Sequence, residues 1–371
     1  MSCPHIPELT YTEFGESLNA RIAGRRVPIS GTAELTERCN LDCAHCSINL
    51  PPDDLEARDR ELSVHQWRDL LHQIAEEGCL SLLLTGGEPL LRPDFLDIYD
   101  YAKGKGFLIT LFTNGTLVTP RIADHLADWP PLLIEVTLYG MSQETYERVT
   151  GVPGSYENCM RGIQLLHERD LPLKLKMVVM TLNRGEFPAV QQFARELTGD
   201  FRYDAVLKPR SDGSKDVLAL RLPAQEVVDL DMADSRSRES FVTSTARHGA
   251  MPASDSLFTC GAAQRTFHVD AHGRLSPCLS VRFLSCDLTS SCFQEGWHGF
   301  LKHVRSQRVT REYECPTCTL RGICPSCPAF AQLENGDPET AVGFACRVAH
   351  LRAEAYHLHH EAEPEPLRVP V

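Results

Sequence analysis

Six short apolar runs punctuate the chain from about residue 33 to 210: TAELT (32–36), LSLLLT (80–85), FLITLFT (107–113), LLIEVTLY (132–139), LKLKMVVM (173–180) and FRYDAVLK (201–208). Runs of this length bounded by turn residues predict buried strands. Between them, apolar residues recur at helical spacing. Val64, Trp67, Leu70, Leu71 and Ile74 form one such stripe, with a capping box predicted at Ser63 and Gln66 and a left-handed stop at Gly78. The same pattern predicts helices over DFLDIYDYAKGKG, PRIADHLADW, ENCMRGIQLLHERD and EFPAVQQFARELTG. Strand and helix in alternation imply right-handed crossovers and a parallel α/β sheet, either open and doubly wound or curled toward a barrel. Periodicity does not choose between the two.

The alternation stops after residue 210. Residues 233–256 are polar and rich in Ser and Ala, which predicts a bridging segment. Beyond it, cysteines and turn residues accumulate from 260 to 346, as in a small metal-organised domain, and HHEAEPEPLRVPV ends the chain as a disordered tail. The division expected is an N-terminal extension (1–30), a core domain (31–225), a bridging segment (226–258), a cysteine-rich domain (259–350) and a tail (351–371).

Composition narrows the partners. The formal charge is 37 basic minus 50 acidic residues, or −13, and the basic residues are scattered, which argues against nucleic acid or an anionic membrane. No apolar run approaches the ~18 residues of a membrane span. The N-terminus lacks the basic and apolar regions of a secretory signal, so a cytoplasmic location is expected. Fifteen cysteines in such a chain point to metal or catalysis rather than disulfides.

Directly after the first run comes TERCNLDCAHCSI, with Cys39, Cys43 and Cys46 spaced C-x3-C-x2-C. Three thiolates can ligate three irons of a cubane cluster and leave the fourth iron open. The alternative is a zinc site with one ligand missing. LTGGEP, carrying Gly86, Gly87 and Glu88, follows the second run; TNGT (113–116) follows the third and TLYG (137–140) the fourth. Loops after successive parallel strands share one rim, where a single ligand site would draw on all of them.

This combination of C-x3-C-x2-C, GGEP and strand order resembles the radical SAM superfamily over residues 31–225. The resemblance implies a partial (β/α)6 TIM-like barrel in which Cys39, Cys43 and Cys46 hold a [4Fe-4S] cluster whose open iron binds the amino and carboxylate groups of S-adenosylmethionine. It places Gly86, Gly87 and Glu88 at the methionine amine, Asn114 and Thr137 near the ribose or carboxylate, Arg161 on the carboxylate, and the ring of His45 near the adenine. The cofactor then supplies the hard chemistry, a 5'-deoxyadenosyl radical that removes a hydrogen from substrate.

The later cysteines read Cys260, Gly273-x4-Cys278, Cys315-x2-Cys318-x5-Cys324-x2-Cys327 and Cys346. Seven ligands are too many for one metal, although paired C-x2-C units alone would also suit a zinc knuckle. The arrangement resembles the SPASM extension with two auxiliary [4Fe-4S] clusters. That resemblance assigns Cys315, Cys318, Cys324 and Cys346 to an outer cluster and Cys260, Cys278 and Cys327 to an inner one. Cys286 or Cys292 would complete the inner set, or an open iron would bind substrate. Cys79 and Cys159 are expected to be buried small hydrophobes, and Cys3 and the HLHH histidines are assigned nothing.

Among SPASM enzymes, sulfatase-maturing relatives carry an Asp after the G-x4-C cysteine and a second cysteine soon after the first of the set. Here Leu279 follows Cys278, and CGAAQRTFHVDAHG has no second cysteine. Two cluster sites also argue against small-molecule dehydrogenases with a truncated extension. The stretches TLYGMSQETYERVTGVPGSYENCMRGIQLL and YDAVLKPRSDG resemble bacterial peptide (RiPP) maturases, which implies hydrogen abstraction from a precursor peptide leading to a crosslink, an epimer or an excision. Asp204, Lys208 and Arg210 are the candidate catalytic polar groups. About thirty residues before the core are too few for a leader-recognition domain, so a separate leader-peptide recognition protein is expected, together with a reductant such as flavodoxin or ferredoxin. The competing class is a non-catalytic iron-sulfur or zinc scaffold or electron-transfer protein.

Overall fold

The computed structural model describes residues 11–48, 50–234, 238–239 and 254–356. Each of the six apolar runs contains a strand: β1 (Ser30–Glu34), β2 (Ser81–Thr85), β3 (Leu108–Thr113), β4 (Leu133–Thr137), β5 (Leu173–Val178) and β6 (Phe201–Asp204). Neighbours pair in parallel in chain order, from β1 to β6. The crossovers carry Val64–Glu76, Phe95–Gly104, Pro120–Asp128, the pair Gln143–Thr150 and Ser155–His167, and Phe187–Thr198. The Ser63–Gln66 capping box is present in both directions, and Gly78 follows the helix with φ +84°. Trp67, Leu70, Leu71 and Ile74 bury the predicted face of Val64–Glu76, each contributing about 1.5–3 kcal/mol of apolar burial.

Curvature is visible in contacts that skip a strand. Arg202 on β6 reaches over β5 to pair with Glu135 on β4, and the Lys176 ammonium on β5 lies 3.3 Å from the centre of the Phe112 ring on β3. Both contacts lie on the inner face, so the sheet curls round a lumen as a partial barrel.

The sheet does not end at β1. A seventh strand, β7 (Thr266–Val269), pairs with β1 in parallel, and β8 (Arg274–Ser276) and β9 (Cys286–Asp287) continue antiparallel. The order is β6-β5-β4-β3-β2-β1-β7-β8-β9, so the cysteine-rich region begins as an extension of the barrel sheet. Two of the expected boundaries cut helices: Ala224–Ala233 spans the junction at 225, and Gly343–Ala355 runs past 350. Cys3, the HLHH tract and most of 233–256 lie outside the described residues. Among the described residues no helix is long and apolar enough to cross a membrane.

Candidate cluster and ligand site

The loop after β1 is held from three sides. Its neighbour, the glycine loop, zips onto it: the Gly87 amide donates to the Thr36 carbonyl at 2.7 Å and the Glu88 amide to the Arg38 carbonyl at 2.9 Å. A Cβ at Gly86 would stand 2.4 Å from the Thr36 oxygen, and one at Gly87 2.3 Å from the Arg38 oxygen. The glycines therefore permit backbone approach to the cysteine loop. Beneath, a buried network fixes its root. Glu61 accepts from Arg38 Nε at 2.8 Å and from Arg92 at 3.4 Å, and Arg92 also donates to the Leu35 and Leu62 carbonyls.

The third hold is Arg210, which donates to the backbone carbonyls of Ala44, at 3.1 Å, and Cys46. Its guanidinium is fixed in turn by Asp216 at 3.0 Å, which raises its pKa. A residue expected among the catalytic polar groups thus clamps the loop that carries Cys39, Cys43 and Cys46. Asp204 instead turns to solvent and accepts from the Val206 amide at 2.8 Å. Lys208 lies 5.5 Å from the centre of the Phe330 ring, on the cysteine-rich side.

Glu88 is fully buried and accepts from the Leu90 amide (3.0 Å), the Thr113 hydroxyl (2.8 Å) and the Asn114 amide (2.7 Å). Burial pushes its carboxyl up to about 7 despite these donors. Asn114 extends the network with Nδ2 3.7 Å from the Cys39 sulfur and 3.0 Å from Asn40 Oδ1. Thr137 is buried at the end of β4, opposite Lys176 in register. His45 packs edge-on against Tyr139 with 5.2 Å between centroids, its Nδ1 is buried without a partner, and burial drives its pKa down to about 4.

Arg161 needs correction. It lies on the exposed face of Ser155–His167 and donates to Asn158 at 2.8 Å, one turn away on the same helix. Cys159, Gly162, Ile163 and Leu166 take the buried face. The cation that does enter the lumen is Lys176, which sequence reading missed. Burial lowers its pKa to about 7, with Glu135 opposing the shift. The available signal was LKLK, basic residues alternating within a strand whose two faces are both covered.

The thiols fall into three groups. Burial pushes Cys39 up to about 12 and raises Cys43 and Cys46, and the charges of neighbouring thiols add to this at Cys39 and Cys43. Burial likewise pushes Cys315 up to about 12 and Cys324 to about 11, with the charges of Cys318 and Cys346 adding to both. Cys278 is raised by burial and then by Cys260 and Cys327. Thiolates crowded in this way require compensating positive charge, which metal supplies. Six of them, Cys260, Cys315, Cys318, Cys324, Cys327 and Cys346, line a cavity of about 420 Å3.

A tetrahedral zinc site needs donors converging on one point at about 2.3 Å. Among the described residues no three Cys, His, Asp or Glu side chains converge in that way, whereas a multi-iron cluster is gripped from around its outside. The donor set fits [4Fe-4S] clusters.

Cys286 and Cys292, expected either to complete the inner set or to leave it to an open iron, have local partners of their own. Cys286 sits on β9, packed toward Gly296, and the Cys292 sulfur caps the helix Phe293–Glu295, accepting from the Glu295 amide at 3.4 Å. Cys79 and Cys159 are buried in the main core.

The radical SAM superfamily model matches residues 33–194. The AdoMet-dependent heme synthase of Methanosarcina barkeri is 27% identical, aligned over 82% of this chain and 92% of its own. The mycofactocin maturase MftC of Mycobacterium tuberculosis is 27% identical over 93% of this chain and 92% of its own. Among solved structures, SuiB of Streptococcus suis bound to S-adenosylmethionine shares the fold, with a TM-score of 0.65 and 17% identity, covering 92% of this chain and 84% of that one.

Proposed function

Residues 33–194 match the radical SAM superfamily model, and from that premise we propose that the chain is a member that modifies a ribosomally made precursor peptide, with Cys39, Cys43 and Cys46 holding the cluster that binds S-adenosylmethionine. Held there, the cluster would supply the reductive cleavage of S-adenosylmethionine to a 5'-deoxyadenosyl radical, the hydrogen-abstracting species. Glu88, buried and fixed by three donors, receives the methionine amine. Asn114 links the Glu88 loop to Cys39, and Thr137 lines the same rim. His45 offers its unpartnered Nδ1 to the adenine. Lys176 supplies the lumen cation that Arg161 does not. Arg210 holds the cysteine loop in place and does not touch the reacting atoms.

In this reading residues 31–225 form the catalytic core, and the region from 259 onward carries two auxiliary clusters, with Cys315, Cys318, Cys324 and Cys346 on one and Cys260, Cys278 and Cys327 on the other. The observation that carries it is the division of ten thiols into these three charge-coupled groups. A separate leader-recognition protein and a flavodoxin or ferredoxin complete the system, in a cytoplasm that keeps the thiols reduced.

Anaerobic reconstitution tests the reading: about twelve irons per chain are expected for three four-iron clusters, with 5'-deoxyadenosine formed from S-adenosylmethionine under dithionite. The Cys39→Ala/Cys43→Ala/Cys46→Ala variant loses about a third of the iron and all of the cleavage. Bound zinc without cleavage overturns the proposal. Co-expression with short neighbouring reading frames, read by mass spectrometry, tests the peptide. A product appearing only with small-molecule extracts would move the substrate to the class named for the heme synthase relative.

A further inference from the structure

The basic residues are scattered along the sequence, yet the fold gathers Arg25, Arg26, Arg265, Lys302 and Arg305 round one turn, residues 260–265, which leads into β7. Arg305 donates to the Cys260 carbonyl at 2.7 Å and to the Ala262 carbonyl at 3.4 Å. Arg26 donates to the Ala263 carbonyl at 3.0 Å and to the Trp297 carbonyl, with its guanidinium 4.1 Å from the centre of the Trp297 ring. Gln264 donates to the Arg25 carbonyl at 3.0 Å, and Arg265 donates to the Asn19 side chain. Lys302 stands three residues before Arg305 on the same helix, so the two share a face.

These donors go to carbonyls and an amide, which carry no net charge. Among the described residues the carboxylates beside the turn are already engaged: Glu77, whose charge reaches Arg26, is bonded to His298 at 2.7 Å, and Asp255 to Arg308 at 2.9 Å. A chain with a formal charge of −13 thus presents one uncompensated positive face. Arg25 and Lys302 are exposed, and so is Cys260 in their midst. The first thiol group offers the opposite surroundings. Cys39 and Cys43 are buried and Cys46 is half-buried, and the segment after their loop, 53–61, carries five acidic residues against two basic ones.

We propose that the face round residues 260–265 docks an acidic one-electron carrier protein, the reductant of the clusters. The proposal rests on reading Cys260 as a cluster ligand, which puts an iron-sulfur centre beside the exposed middle of the patch. Opposite charge draws the carrier to this face, and like charge along 53–61 turns it away from the first thiol group. In the encounter one electron leaves the carrier and one is gained by a cluster, with no bond made or broken. Electron-transfer encounters bury less than about 1,200 Å2, so a patch of this width suffices. An acidic carrier accounts for the exposed cysteine as well as for the charge; a nucleic acid accounts for the charge alone.

The test compares two reductants on the reconstituted holoenzyme, with 5'-deoxyadenosine as the product measured. Dithionite needs no docking surface; flavodoxin, kept reduced by NADPH through its reductase and held at limiting concentration, does. Arg25→Glu/Lys302→Glu should lower the flavodoxin-driven rate by at least about tenfold, the lower end of electrostatic steering, and leave the dithionite-driven rate unchanged. Raising the salt from about 0.05 M to about 0.5 M should slow the parent with flavodoxin and barely affect the variant. Without turnover, binding of oxidised flavodoxin to the holoenzyme, followed by isothermal titration calorimetry, should weaken by a similar factor. Equal flavodoxin-driven rates in parent and variant overturn the proposal; should the parent alone then retard a DNA duplex in a gel, the face belongs to nucleic acid. A fall under both reductants alike also overturns it, because the face then serves the fold or another ligand. If the parent forms no 5'-deoxyadenosine with dithionite, the failure lies instead in the radical SAM reading.

Discussion

Gly162 sits inside the helix Ser155–His167, where replacement by alanine would ordinarily stabilise by about 0.5–1 kcal/mol through helix propensity. Here the sign should reverse. An alanine Cβ would lie 2.0 Å from the carbonyl oxygen of Gly115, against the ~3.3–3.6 Å of a normal carbon–oxygen contact. The obstacle is backbone, and Gly115 is itself held at φ +78°, so the helix or the TNGT loop must shift by more than about 1 Å. Overpacking of this kind costs about 1–3 kcal/mol, which after the propensity gain of about 0.5–1 kcal/mol leaves Gly162→Ala destabilised by up to about 2.5 kcal/mol. The loop that moves carries Asn114, whose amide binds Glu88 and whose side chain reaches Cys39. A misplacement of that size in a reacting site costs up to about a hundredfold in rate. Urea titration of the anaerobic holoprotein should therefore show a lower midpoint with an unchanged slope, and 5'-deoxyadenosine formation should fall well beyond any loss of iron. Gly15→Ala, also mid-helix but with nothing within 4 Å of its added methyl, is the control and should be neutral or stabilising. If Gly162→Ala matches that control, the close approach does not constrain the loop and the reasoning fails.

Other substitutions probe separate features. Glu61→Ala strips two buried arginines of a shared carboxylate and should destabilise by about 3–5 kcal/mol, visible as a lower urea midpoint; Glu61→Gln should cost less. Arg210→Ala frees the Ala44 and Cys46 carbonyls, so a chelator should strip about four irons per chain faster than from the parent, and Arg210→Lys, lacking the planar fork, should not restore retention. Cys286→Ser and Cys292→Ser should leave iron content unchanged; loss of iron from either would return it to the inner set. In the apoprotein, Glu88 keeps its proton to about 7 when folded but only to the ordinary value near 4.5 when unfolded, so its contribution to stability falls as pH rises through that window. Lys176 releases its proton near 7 when folded but near 10.5 when unfolded, so its contribution rises with pH above 7. Urea titrations across pH should show Glu88→Gln removing the first limb and Lys176→Met the second.

What could be read from the sequence follows from what is local. The six apolar runs each contain their strand, and in the first five the residues alternate between buried and half-buried positions or are buried throughout, which writes a nearly uninterrupted signal. Boundaries drifted where a partner decides them: β1 occupies Ser30–Glu34 instead of 32–36, because its register with β2 and β7 begins at Ser30. FRYDAVLK pairs only over its first four residues, since among the described residues β6 is an edge strand with no neighbour beyond it. β7 was not predicted at all. It is four residues long and pairs with a strand more than two hundred residues earlier, and no local pattern encodes such a contact. Arg161 failed for a geometrical reason: in a helix whose buried face is set by Cys159, Gly162, Ile163 and Leu166, position 161 turns outward.

The fourteen residues from Glu314 to Cys327 show how local geometry decides which thiol joins which group. Cys315, Cys318 and Cys324 are electrostatically coupled to Cys346, which a helix brings alongside. Cys327 is instead coupled to Cys278. Pro328 opens the helix Pro328–Asn335, and a proline restricts the residue before it to extended backbone. Cys327 accordingly has φ −154° and ψ 167°, and its sulfur accepts from the Phe330 amide. Spacing alone could not announce this division; the proline after the last cysteine makes it.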